Sequence, residues 1–150
     1  MEGVGEMGDL DTKWLAVWDA IKVEVLKVTG LDATNVFQGL DYVPIGDPLV
    51  LIGAAEIAPT STDTGGSYYR MDWPIVIIVE EADFKQGLKD ALGWAGKIRQ
   101  ELLDDRSLGG EVENTEDAGY RPNALASLPG FERQHMLFTV RTFVWVDNPV

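Results

Sequence analysis

The side chains that could do chemistry are few, and their spacing argues against an enzyme. His135 is the only histidine of the chain, so a metal site built on two imidazoles has no material. A Ser-His-Asp triad would have to use that one residue. It stands at the head of an alternating apolar run, no Gly-x-Ser-x-Gly elbow is present, and the serines at 61, 67, 107 and 127 sit in loop-type contexts. Cysteine is absent, which removes thiolate nucleophiles, disulfides and thiolate-bound zinc together. No Gly-x-x-x-x-Gly-Lys-Ser/Thr segment occurs, and the chain is expected to offer no standard nucleotide cradle. Asp104-Asp105 and Glu80-Glu81 are the remaining donors for a hard divalent cation, but their spacing matches no calcium loop, and adjacent acids near helix ends are ordinarily solvated surface. No catalytic residue, metal or cofactor is therefore expected.

With 150 residues, 45% of them hydrophobic, the chain can fill one core and not two. The expected organisation is a loose arm over residues 1–10, rich in glycine and acid, followed by a single α+β domain over 11–150. No apolar run approaches the roughly 20 residues needed to cross a bilayer as a helix, so no membrane partner is expected. The acidic N-terminal residues lack the basic segment and apolar run of a secretory signal, which points to a cytoplasm. The net charge of −13 is unevenly spread. No lysine or arginine stands between Lys27 and Arg70, and from Asp104 to Asp117 only Arg106 faces six acids. Such a surface repels phosphate, so sequence-specific nucleic-acid binding is not expected, whereas a basic protein partner or a ring with one negative face is.

The elements follow from periodicity. Trp14, Trp18, Ile21, Val25 and Val28 recur at helical spacing, predicting an amphipathic helix of about five turns that begins near Asp11 and stops at Thr29-Gly30. Two tryptophans on that stripe are read as packing rather than as a ligand-stacking box. Residues 35–38 read as a brief strand and 49–55 as a buried one; residues 59–66, rich in Thr, Ser, Asp and Gly, read as a mobile loop. Beyond it, Tyr68 to Trp73 leads into the β-branched run 74–79, whose Pro74 predicts an edge strand or a bulge; the two strands are expected to pair antiparallel across the loop. A second helix follows Glu80, Glu81 and Asp83, with Phe84, Leu88, Ala91, Leu92, Ala95, Ile98 and Leu102 on one face. Gly87, Gly93 and Gly96 inside it each cost up to about 1 kcal/mol relative to alanine, which calls for something pressing close. Val112 is read as part of a short strand and residues 113–130 as a long irregular segment of the kind that binds partners. Residues 135–146 alternate as a long strand whose second face carries Leu137, Phe143 and Trp145, so a cover on both sides is expected. The architecture predicted is a mixed, mainly antiparallel sheet of about four to five strands with two main helices packed on it.

This order of elements resembles the tail terminator, or tail completion, proteins of long-tailed bacteriophages. The resemblance spans roughly residues 11–147 and rests on the helix with Trp14, the Asn35-Val36-Phe37 strand, the Pro48-initiated apolar strand, the strand after Trp73, the helix through Leu88 and Leu103, and the terminal strand of alternating aromatics and valines. The length of the 113–130 segment departs from that layout. The resemblance implies a virion assembly protein: a hexameric ring, assembled in the host cytoplasm, that caps the tail tube, ends tail polymerisation and joins the head connector. Within that reading Gly93, Gly96, Phe143 and Trp145 are the expected subunit contacts. The expected docking residues for tube or connector are Thr60, Asp63, Tyr68, Tyr69, Arg70 and Arg121. Another head-tail neck protein shares this layout, and an acidic inhibitor that mimics DNA is a third reading. Against the latter, the second helix mixes Lys85, Lys89, Lys97 and Arg99 with its acids, where a mimic needs rows of carboxylates.

Overall fold

Two helices lie on one face of a six-stranded sheet. The computed structural model describes residues 2–62 and 65–147. In chain order the elements are α1 (Glu2–Val25), β1 (Val36–Gln38), β2 (Leu49–Ile52), β3 (Glu56–Thr62), β4 (Gly66–Ile78), α2 (Phe84–Asp104), β5 (Asn114–Pro122) and β6 (His135–Asp147). The sheet runs β1-β2-β4-β6-β5, with β3 attached to β4; β1 and β2 are parallel and every other pair is antiparallel. The fold is α+β, with six strands rather than four to five.

The sheet is built around the long β4–β6 pair, in register from Gly66 opposite Asp147 to Ile78 opposite His135. Alternation then assigns the faces. Trp73, Ile75, Ile77, Phe138, Val140 and Val144 point to the helices and pack with Ile21, Val25, Ala91, Ala95 and Ile98 in the main core. On the opposite face a smaller cluster joins Leu49, Leu51, Val76, Ile78 and Leu137 to Phe131. Leu137 is the one residue of β6 in that cluster, so the terminal strand is covered on both sides only near its start.

Strand β4 pairs with β2 through residues 75–78 and with β3 through 67–72, on the same side. Between the two partners the chain breaks at residues 53–55. Pro74 stands opposite this break, and Gly53 donates its N–H to the Pro74 carbonyl at 2.7 Å. The expected edge position for Pro74 is thus replaced by an interior one: its missing N–H falls where the neighbouring strand changes and nothing is lost. Two carbonyls at the break accept from α1: Trp14 Nε1 donates to Ala55 O at 3.3 Å, and Trp18 Nε1 donates at 2.9 Å to Ile52 O, which also accepts from Gly39 N–H at 2.8 Å. Both indoles pack against Trp73, with ring centroids 6.1 and 6.2 Å away. The tryptophan stripe is packing, as its spacing indicated. A Cβ at Gly53 would meet Pro74 Cγ at 2.8 Å and Leu40 Cδ1 at 2.9 Å. Gly53→Ala is therefore expected to lower unfolding stability by about 1–3 kcal/mol, read from urea denaturation.

Four further expectations are corrected. Within residues 59–66, expected to be a loop, β3 runs through Thr62 and β4 begins at Gly66; the edge strand β3 buries almost nothing, so its polar composition carries no strand signal. Residues 114–122, inside the segment read as irregular, form β5, whose pairing with β6 supplies what its sequence does not; a bulge between Asp117 and Tyr120 places Gly119 at φ 109°. Val112 is buried but lies outside any strand. Helix α1 starts at Glu2 rather than near Asp11, since extending a helix already formed costs less at each glycine than starting one. It ends at Val25, and the chain leaves through tightened turns in which Val28 N–H reaches Val25 O at 3.1 Å.

Candidate functional site

Beyond the smaller cluster, the sheet face turned away from the helices is only partly buried by the described residues. Register puts Tyr68 opposite Trp145, Arg70 opposite Phe143 and Asp72 opposite Arg141 on that face. Tyr68 and Trp145 meet edge to face, with centroids 4.8 Å apart and planes at 64°, a geometry that adds stabilisation beyond the area buried. Trp145 Nε1 donates to Asp147 Oδ1 at 2.6 Å. Asp72 accepts from Arg141 Nε at 2.9 Å and lies 3.6 Å from Arg70 Nε. The Asp72 carboxylate raises Arg141 above the ordinary arginine value, so this guanidinium stays charged. The result is an aromatic patch, Tyr68, Trp145 and Phe143, running into an Arg70-Asp72-Arg141 cluster on the same face, a combination suited to a protein surface that offers apolar side chains and carboxylates.

Of the residues singled out from sequence, Tyr68, Arg70, Phe143 and Trp145 come together here. Thr60 lies next to them on β3, donating its hydroxyl to Tyr68 O at 3.3 Å. Tyr69 points to the helix side and packs on the main core. Asp63 lies outside the described residues. Arg121 is exposed on β5, opposite Leu137 and away from the aromatic patch. Thr60, Tyr68, Tyr69, Arg70, Arg121, Phe143 and Trp145 sit on strands, not on loops. Gly93 and Gly96 are on the outer surface of α2, across the molecule, and a Cβ at either would meet nothing within 4 Å. Only Gly87 has a close neighbour, the Gln134 side chain at 2.8 Å from such a Cβ. Gly93→Ala and Gly96→Ala are each expected to raise monomer stability by up to about 1 kcal/mol in urea denaturation.

Sequence reasoning missed the Asp72 and Arg141 pair, whose partners are 69 residues apart and meet only through strand register. It also missed Tyr42 and Ile45, 75% and 97% exposed, in the loop before β2. The apolar run Tyr42-Val43-Pro44-Ile45 was the signal available for that loop.

The chemistry candidates have structural employment. His135 is fully buried; its Nε2 accepts from Leu125 N–H at 3.0 Å, so Nδ1 carries the proton it gives to Arg133 O at 2.9 Å. Both ring nitrogens thereby tie down the segment that bears Phe131. Tyr120 is pushed up from its ordinary value by burial and then by Asp117, and it stacks on Phe138 at 4.9 Å. Gly3, Gly5 and Gly8 do satisfy a Gly-x-Gly-x-x-Gly spacing, contrary to the expectation of no such cradle motif. They fall inside α1 with no strand ahead of them among the described residues, so no dinucleotide turn is formed. Among the described residues no group of three or more His, Cys, Asp or Glu is placed to hold a metal ion. No described helix is long and apolar enough to cross a membrane.

No family model matches the chain, and no curated protein sequence matches it. Among solved structures, its fold is similar to that of a chain from the virion of a native gene transfer agent particle, with a TM-score of 0.57 and 18% identity over 89% of this chain and 98% of that one. The likeness covers nearly the whole of both chains, so the two share their α+β architecture.

Proposed function

We propose that this chain is a virion structural protein, and within that class a tail terminator: a subunit of a hexameric ring that caps the tail tube, ends its polymerisation and forms the joint to the head connector. The observation that carries the reading is the near end-to-end fold similarity to a component of a gene transfer agent virion, in agreement with the layout resemblance of the sequence. The surface chemistry supports it. A ring requires heterologous contacts that close, and the Tyr68, Phe143 and Trp145 face offers an apolar patch of the kind such contacts bury. The glycine-bearing face of α2, with Gly93 and Gly96, is the second proposed contact between copies. Thr60, Tyr68, Tyr69, Arg70 and Arg121 remain the proposed docking residues for tube and connector, together with Asp63. The net charge of −13 would keep DNA from adhering as it passes through the ring. The virion, at the head-proximal end of the tail, is the proposed location.

Light scattering behind a sizing column, at several concentrations, tests the reading. A mass near that of a hexamer, together with capping of purified tail tubes in electron micrographs, is the expected result. A ring that binds the connector and leaves tubes growing would replace the terminator with another neck protein. Failure to bind either would overturn the virion reading.

A further inference from the structure

Within α2 itself, past the Asp83 cap, the exposed face carries lysines near its start and an acid at its end. Its first turn has no acid and its last turn no base; Lys85 and Lys89 stand in the N-terminal half and Asp104 at the end. Each such placement costs about 0.3–1 kcal/mol in an isolated helix. The Asp83 cap, which accepts from Gln86 N–H at 2.8 Å, favours the dipole at the start of the helix, but neither Lys85 nor Lys89 forms an ion pair with a described residue. Lys97 rests on the Trp94 ring at 4.5 Å instead of on an acid. In a chain of net charge −13, these exposed lysines set one helix face apart from the acidic surface around it.

The same face is self-complementary under reversal. Lys85 and Asp104, Lys89 and Gln100, and Gly93 and Gly96 are three pairs, each equidistant from one point between Trp94 and Ala95. All six residues are exposed, and at 100° per residue they fall on the side of α2 opposite the buried Gly87, Ala91, Ala95, Ile98 and Leu102. Leu92, 46% exposed, lies beside them. We infer that α2 packs antiparallel against α2 of a second copy about a two-fold axis at that point. Lys85 of each copy then meets Asp104 of the other, the reversed charges become interchain pairs, and the glycines let the two backbones approach where the helices cross. Two-fold symmetry makes every contact occur twice. Such a contact cannot propagate around a ring, so it takes the glycine-bearing face from the ring contact proposed above, leaves the ring to the Tyr68, Phe143 and Trp145 face, and would join two rings into a particle of twice the hexamer mass.

The test is the solution mass of the full chain, in a Trp145→Ala background and in the unaltered chain, both by light scattering behind a sizing column. In the Trp145→Ala background the expected mass is twice 16.5 kDa. Adding Lys85→Glu and Lys89→Glu should weaken the dimer by about tenfold or more. Adding Gln100→Lys and Asp104→Lys to that same chain should restore it, because a two-fold contact carries both halves of the compensation in one sequence. All four positions are exposed, so folding is retained, as circular dichroism would verify. A mass of one chain at every concentration, or a dimer that the charge reversal leaves unchanged or that the compensating pair does not restore, overturns the two-fold. An unaltered chain that stops at the dimer would sink the ring and leave this contact standing.

Discussion

Trp73→Ala is expected to destabilise the protein by about 3–5 kcal/mol, a large share of the roughly 5–15 kcal/mol that holds a domain of this size together. Trp73 is fully buried at the centre of β4. It anchors Trp14 and Trp18, whose indoles in turn donate to the Ala55 and Ile52 carbonyls at the break between β2 and β3. Its own Nε1 donates to Thr142 Oγ1 at 3.0 Å, a buried hydroxyl on the neighbouring strand. Removing the ring leaves a cavity under three elements and strips Thr142 of a donor. Trp73→Phe separates the two contributions: it retains most of the volume and should lose about 1–3 kcal/mol, chiefly the unsatisfied hydroxyl. Urea denaturation followed by circular dichroism measures both. Equal losses for the two variants would mean that the hydrogen bond, and not the packing, dominates.

Phe143→Ala combined with Trp145→Ala is expected to act on assembly rather than on folding. Both side chains are only half-buried on the open face of β6, and Trp145 makes its ring contact with Tyr68, itself 39% exposed. The monomer forfeits one edge-to-face pair, worth about 0.5–1.5 kcal/mol beyond area. In an interface, buried aromatics of this kind cost 2 kcal/mol or more each when truncated, roughly 30-fold in affinity. The double variant should therefore elute as a folded species that no longer forms rings and no longer caps tubes. Sizing, circular dichroism and tube capping measured side by side decide it. A double variant that is unfolded, with no assembly defect beyond the loss of fold, would remove this face from the list of contacts.

The sequence by itself determined the elements whose signal is burial. The alternation of residues 135–146 requires a long strand, the tryptophan and aliphatic spacing of α1 requires one apolar stripe, and the Asp83 cap, which accepts from Gln86 N–H at 2.8 Å, sets the start of α2. It also determined that Trp14 and Trp18 pack and that His135 has no second imidazole to work with. Tertiary structure alone decided β3 and β5. Both are edge strands, stabilised by backbone pairing to β4 and β6, and pairing leaves no periodic trace in a polar sequence such as Thr60-Ser61-Thr62 or Asn114-Thr115-Glu116-Asp117. It decided that Pro74 sits inside the sheet, since that depends on where a neighbouring strand breaks. It also decided which candidate residues share a surface: strand register gathers Tyr68, Arg70, Phe143 and Trp145 with Asp72 and Arg141, turns Tyr69 to the other side, and leaves Gly93 and Gly96 across the molecule on α2. Local composition encodes what a residue prefers, whereas adjacency between residues some 70 positions apart is fixed only when the strands that carry them close against one another.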